Sequence, residues 1–227
     1  MRTESRARLL VTLTAGLVLA GSMAIPQTSA AGADGIPLRE AIMALPVIGE
    51  DRLGYERTAF RHWIDADRDQ CSTTAEVLLA EAVTPPAVGA GCALTGGRWY
   101  SSYDATYVDG PSGLDIDHVV PLAEAWDSGA SQWTPAQRQA YANDLDEPRA
   151  LVAVTARSNR SKSDQDIAGW MPPYATARCG YLLDWLTVKT RWHLAVDDIE
   201  RDALVREAAA CPDLPIVTTP ADTLQPS

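Results

Sequence analysis

The stretch from Gly113 to Trp126, GLDIDHVVPLAEAW, sets one of the chain's three histidines directly after an aspartate, with a second aspartate two residues earlier. An imidazole titrates near pH 6.5 and is a neutral base at neutral pH. The carboxylates of Asp115 and Asp117 beside His118 are hard oxygen donors of the kind that hold magnesium or manganese. Further along, TARSNRSKSD (Thr155 to Asp164) offers an amide oxygen on Asn159, a guanidinium on Arg160 and an ammonium on Lys162, one of only two lysines. Brought together, these groups have what phosphodiester hydrolysis needs. They supply a base for water, a charge clamp on phosphoryl oxygens and help for the departing oxygen.

Local elements must place them. Leu114, Ile116, Val119 and Val120 read as the end of a strand with Asp115 and Asp117 on one pleat face. After Pro121, LAEAWDSGASQWTPAQRQAYANDL reads as helix, turn and helix, with Thr134 capping and Pro135 at the first helical position. Leu151, Val152 and Val154 within Arg149 to Ala156 make a second strand. Ser158 then caps a helix in which Asn159, Lys162, Ser163 and Asp166 share a face by their spacing.

The order of strand ending in Asp-His, connection, strand, and helix opening with asparagine resembles the ββα-metal motif of HNH endonucleases. DIDHVVP with TARSNRSKSD is similar to the HNH domain of RNA-guided CRISPR effectors. Over Tyr55 to Asp197 the chain resembles secreted bacterial HNH proteins related to the GmrSD C-terminal group. The resemblance implies an α+β fold with a ββα-metal core and surrounding helices. It implies His118 as general base, and Asp117 with the amide oxygen of Asn159 as ligands of one magnesium or manganese ion, with Asp115, Arg160 and Lys162 in support. The implied substrate is DNA, with RNA as the alternative, cut to leave a 5′-phosphate. Asn159 stands where many members have a second histidine. The middle asparagine of the pattern has one candidate, Asn143.

A second metal signal is separate. DADRDQCSTTAE places Asp65, Asp67, Asp69 and Glu76 at positions one, three, five and twelve of a calcium loop, with Gln70 where glycine makes the sharp turn. The loop follows YERTAFRHWIDAD, whose Tyr55, Ala59, Phe60 and Trp63 have helical spacing, and precedes the apolar run AEVLLAEAV. His62 and His193, beside tryptophans on expected helices, read as packing or surface residues.

Arg2, Arg6 and Arg8, then LLVTLTAGLVLAGSMAI and the small residues Thr28 to Ala30, have the layout of an export signal over 1–30. An uncleaved anchor is the alternative. Export makes the four cysteines, which lack C-x-x-C spacing, a disulfide framework. Sequence order suggests Cys71–Cys92 and Cys179–Cys211, although three pairings are possible. Residues 31–54 read as a leader, 55–211 as the nuclease domain with an N-terminal helical lobe (core 113–170), and 212–227 as a disordered tail. The expectation is a secreted monomer without lasting membrane association. With 19 Lys and Arg against 30 Asp and Glu, attraction to a nucleic acid must come from a local patch or a metal. No zinc finger or long basic helix reads sequence, so cleavage without sequence preference is expected. The rival reading is a secreted, calcium-stabilised binding module on a degenerate nuclease scaffold. A serine hydrolase is weaker, because GPSG lacks the nucleophile-elbow spacing.

Overall fold

The computed structural model describes residues 35–222, so the segment read as an export signal lies outside the described residues. The chain enters through a two-residue strand, β1 (Ile36–Pro37), and the helix α1 (Leu38–Ala44), which buries Leu38, Ala41 and Ile42 on one face. The helix expected from Tyr55 does not form. Only a single 3-10 turn, Arg57–Ala59, is present, and Phe60 leaves it extended. A tertiary partner explains the difference: the amide of Asn143 donates to Arg61 O (2.8 Å) and accepts from Ile64 N (3.1 Å), holding the segment in irregular form. The aspartate-rich loop then leads into α2 (Thr73–Glu81), where Ser72 accepts from Ala75 N as a cap.

Glycines and aromatics next build two small antiparallel ladders, β2 (Ala87–Val88) with β3 (Leu94–Thr95) and β4 (Arg98–Ser101) with β5 (Thr106–Asp109). The motif strand β6 (Leu114–His118) follows, then α3 (Leu122–Asp127) and α4 (Pro135–Ala142). Thr134 and Gln137 form a capping box with proline at the first turn of α4, as the TPAQ sequence spells. β7 (Leu151–Thr155) returns antiparallel to β6, setting Asp117 opposite Val152 and His118 opposite Leu151. The strand runs without a break into α5 (Ala156–Lys162). The cap is therefore Thr155, whose hydroxyl accepts from Ser158 N, and not Ser158 itself.

The long C-terminal amphipathic stretch is two helices, α6 (Arg178–Arg191) and α7 (Asp198–Ala208). β8 (Pro215–Ile216) pairs with β1, so the segments expected to be leader and disordered tail meet each other. Within the stretch expected to be the tail, Ala221 is buried and donates its N–H to Arg191 O (3.1 Å). The disulfides are Cys71–Cys92 and Cys179–Cys211, the pairing that chain order suggested. They staple the aspartate-rich loop to the β2–β3 turn, and α6 to the end of α7. The class is α+β, as expected.

Trp99, Trp185, Trp192 and Phe60 lie wholly inside, and so do both lysines. Lys189 Nζ donates to Glu124 Oε1 (2.8 Å), Glu200 Oε2 (2.6 Å), Ser128 Oγ (2.9 Å) and Ala195 O (2.8 Å). A buried ammonium is tolerable only when paired and hydrogen-bonded in this way.

Candidate active site

β6, β7 and α5 bring Asp117, His118 and Asn159 to one cleft, which Arg57, Arg160 and Asp164 also line. Val119 and Val120, both fully buried, anchor the end of β6 in the core. The strand pairing fixes which face each motif side chain takes, because alternate residues point to opposite sides. Asp115 and Asp117 share that face as expected, but their surroundings differ. Asp115 is partly exposed and accepts from Asn159 Nδ2 (3.3 Å), with Arg160 Nε 3.4 Å from the same oxygen. Asp117 is only 5% exposed. Its Oδ2 accepts from the Tyr103 hydroxyl (2.7 Å) and its Oδ1 from Lys162 Nζ (2.8 Å).

Lys162 is the clearest departure from the sequence reading. The resemblance implies it as a supporting residue of the site, yet it is wholly buried and donates to both Asp117 Oδ1 and His118 O (2.8 Å). The face it shares with Asn159 packs against β6, so its ammonium ties the helix to the strand and is out of reach of a ligand. Burial pushes the Asp117 carboxyl up and the Lys162 ammonium down; the ion pair opposes both shifts. Burial also keeps the Tyr103 hydroxyl protonated, well above its usual range, so it is a donor to Asp117.

His118 is held by its ring. It stacks on Trp63 (centroids 4.9 Å apart) and lies nearly parallel to Tyr141 (6.4 Å), and its Nε2 is 3.0 Å from Ala142 O. A carbonyl can only accept, so Nε2 carries the proton and Nδ1 keeps the lone pair. Burial drives this imidazole down to about 3, with Arg57, His62 and Lys162 adding and the Ala142 bond opposing. It is neutral at neutral pH. Asn143, the candidate middle asparagine, spends its amide on other partners than His118. Its amide joins the end of α4 to residues 61–64 and to Thr73 Oγ1 (2.8 Å), and so fixes the chain carrying the Ala142 carbonyl.

The donor set is compatible with a hard divalent ion. Asn159 uses its NH₂ on Asp115, which leaves Oδ1 as its coordinating atom. A carboxylate has about four lone-pair positions, and Tyr103 and Lys162 occupy one on each Asp117 oxygen. Oxygen donors of this kind suit magnesium or manganese with water completing the shell. Composition and spacing gave no hint of Tyr103, Arg57 or the Ala142 carbonyl. Tyr103 lies in the turn of a separate hairpin, and Arg57 arrives from the irregular segment that was read as helix. His62 packs beside Trp63 and His118, its Nδ1 2.7 Å from Phe60 O, in keeping with a packing role.

In the aspartate-rich loop, Asp65, Asp67 and Asp69 bring carboxylate oxygens within 4.8 Å of one another. Gln70 N donates to Asp65 Oδ2 (3.1 Å), and Gln70 itself takes φ +80°, the left-handed conformation for which glycine was expected. Glu76 Oε2 is buried with no hydrogen-bond partner among the described residues. Its carboxyl is raised by burial and then by the charges of Asp67, Asp69 and Asp65.

Residues 90–207 match the family model described as GmrSD restriction endonucleases, C-terminal domain. A protein of Arthroderma benhamiae named "Uncharacterized secreted protein" is 42% identical over 158 residues, covering 70% of this chain and 76% of that one. No solved structure matches. A match over more than half of the chain that contains Asp117, His118 and Asn159 leads to one statement of kinship: the chain belongs to the family of the GmrSD restriction endonuclease C-terminal domain, a nuclease family of the HNH type.

Proposed function

We propose that this chain is an exported, metal-dependent endonuclease that hydrolyses phosphodiester bonds of DNA, with RNA as a second substrate, without sequence preference. The observation that carries the reading is the fixed tautomer of His118. Its Nε2–H is bound to Ala142 O, and its residue lines the same cleft as Asp117 and Asn159. In the mechanism, Nδ1 of His118 takes a proton from a water while that water's oxygen forms a bond to phosphorus. The P–O3′ bond breaks, the 3′ oxygen is protonated from solvent, and a 5′-phosphate remains. Asp117 and Asn159 would hold a magnesium or manganese ion, which would supply neutralisation of the charge on the phosphate. The imidazole is a weak base in the free protein; a phosphate entering the cleft favours the imidazolium and raises its basicity when substrate arrives. Arg57 and Arg160 are the exposed guanidiniums at the cleft, suited to hold phosphate oxygens.

Export fits the two disulfides and the secreted relative. Among the described residues no helix is long and apolar enough to cross a membrane. A structural calcium ion on Asp65, Asp67, Asp69 and Glu76 is the second cofactor of this reading, supported by the convergence of the three aspartates.

The test is plasmid cleavage by the purified mature protein, with and without chelator and across metal concentrations. His118→Ala is expected to lose roughly 10²–10⁴-fold in turnover while still binding metal. Asp117→Ala and Asn159→Ala are expected to weaken metal binding, so that excess metal partly restores cleavage. A His118→Ala variant cutting at the parental rate would falsify the mechanism. A folded parent that is inert with every divalent metal would favour a binding module on a nuclease scaffold.

A further inference from the structure

Within four residues, the turn joining β4 to β5 touches all the segments of the motif. Ser101 Oγ accepts from Thr155 N (3.1 Å), where β7 passes into α5. Asp104 Oδ2 accepts from Thr155 Oγ1 (2.6 Å) and from Ser158 Oγ (3.0 Å). Between them, the Tyr103 hydroxyl donates to Asp117 Oδ2 (2.7 Å). Tyr103 is itself fixed on several sides. Its ring meets Tyr181 edge-on (5.3 Å, 85°) and lies tilted against Trp170 (5.3 Å, 58°), and its carbonyl accepts from Tyr174 N (3.1 Å). A buried ring held in this way presents its hydroxyl in a single direction.

We propose that Tyr103 is a positioning residue for divalent-ion binding, holding the Asp117 carboxylate in the rotation that turns its remaining lone pairs to the cleft. The inference rests on the reading of Asp117 as a metal ligand. Its physical basis is a two-point hold. Lys162 fixes Oδ1, and a carboxylate held at one oxygen can still turn about its terminal torsion, which is broad. The hydroxyl on Oδ2 supplies the second point and removes that freedom. Partners that orient a metal ligand without touching the metal commonly matter on the order of 10–100-fold in metal affinity. The turn also explains why a hairpin outside the ββα core should be part of the site. It sets β6, β7 and α5 relative to one another and directs one hydroxyl at the ligand they carry.

The experiment is titration of the full mature protein with Mn²⁺ alone, free ion being read by electron paramagnetic resonance and folding by thermal melts. Tyr103→Phe removes one oxygen. Its expected Mn²⁺ affinity is weaker than the parent's by roughly 10–100-fold, with cleavage recovering at high Mn²⁺. Tyr107→Phe, an exposed tyrosine of the same hairpin, is expected to match the parent. Asp104→Asn loosens the same turn without touching Asp117 and is expected to weaken binding in the same direction; it serves if Tyr103→Phe fails to fold. Parental Mn²⁺ affinity in folded Tyr103→Phe, or in Asp104→Asn when Tyr103→Phe is unfolded, would overturn the positioning role. If Asp117→Ala still loses binding in that case, the nuclease reading stands. If parent and Asp117→Ala bind Mn²⁺ equally, the ligand assignment falls and the inference falls with it.

Discussion

Glu81 and Asp184 are half-buried carboxyls. Burial raises Glu81 to about 7, opposed by its bond to the Ala153 N–H (2.8 Å) on β7. Burial also raises Asp184 to about 7, with Arg149 opposing and the charges of Glu147 and Glu81 adding. An acid whose folded pKa lies above its unfolded one binds protons more tightly when folded. These two groups therefore cost nothing below about pH 4, and stability declines as pH rises toward 7 and they ionise while half-buried. Glu81→Gln keeps an oxygen for the Ala153 N–H and removes the charge. Its melting temperature is expected to exceed the parent's by several degrees at pH 8 and to equal it at pH 4, since 1 kcal/mol is about 2–4 °C in a domain of this size. Parallel melts at the two pH values check this, and an equal gap at both would reject it. At this scale Asp117, His118 and Asn159 were legible because their types and order are unusual together. Lys162 was misread because helical spacing gives a side chain's face and not what covers that face.

Among elements, the motif strands were legible because Leu114, Ile116, Val152 and Val154 alternate in the manner of half-buried strands. Thr134-Pro135 marked the start of α4 by its capping chemistry. The helix expected over Tyr55 to Trp63 shows the limit of periodicity. Aromatics at helical spacing there serve a packed cluster instead, with Phe60 edge-on to both Trp126 (6.4 Å) and Tyr141 (6.0 Å) and Trp63 against His118. Two-residue strands such as β1 and β8 carry no sequence pattern of their own, since they exist only through each other. The segment 65–76 follows the misread stretch, runs into the first turn of α2 and is stapled by Cys71–Cys92. Calcium binding only the folded protein stabilises it by about 2.7 kcal/mol at a hundredfold excess over Kd. Millimolar calcium is therefore expected to raise the melting temperature of stripped protein by several degrees, and Asp65→Ala to abolish the rise. An identical rise in Asp65→Ala would place the ion elsewhere.

At the scale of the whole molecule the formal charge is −11, yet the cleft is flanked by Arg57 and by Arg160, whose side chain is 76% exposed. A polyanion is drawn to such a protein over short range only, because at physiological salt charges screen within about 8 Å. Positive charge on the surface comes from arginine, for the two lysines are both inside. That burial has a practical consequence for anyone handling the protein. Amine-directed reagents such as succinimidyl esters have no accessible lysine to modify in the native state, so labelling is expected at the N-terminal amine alone. Both lysines should become reactive together with unfolding, and mass spectrometry of protein modified across a denaturant series would follow that event. Modification of either lysine in fully native protein would mean that its ion-paired network opens without global unfolding.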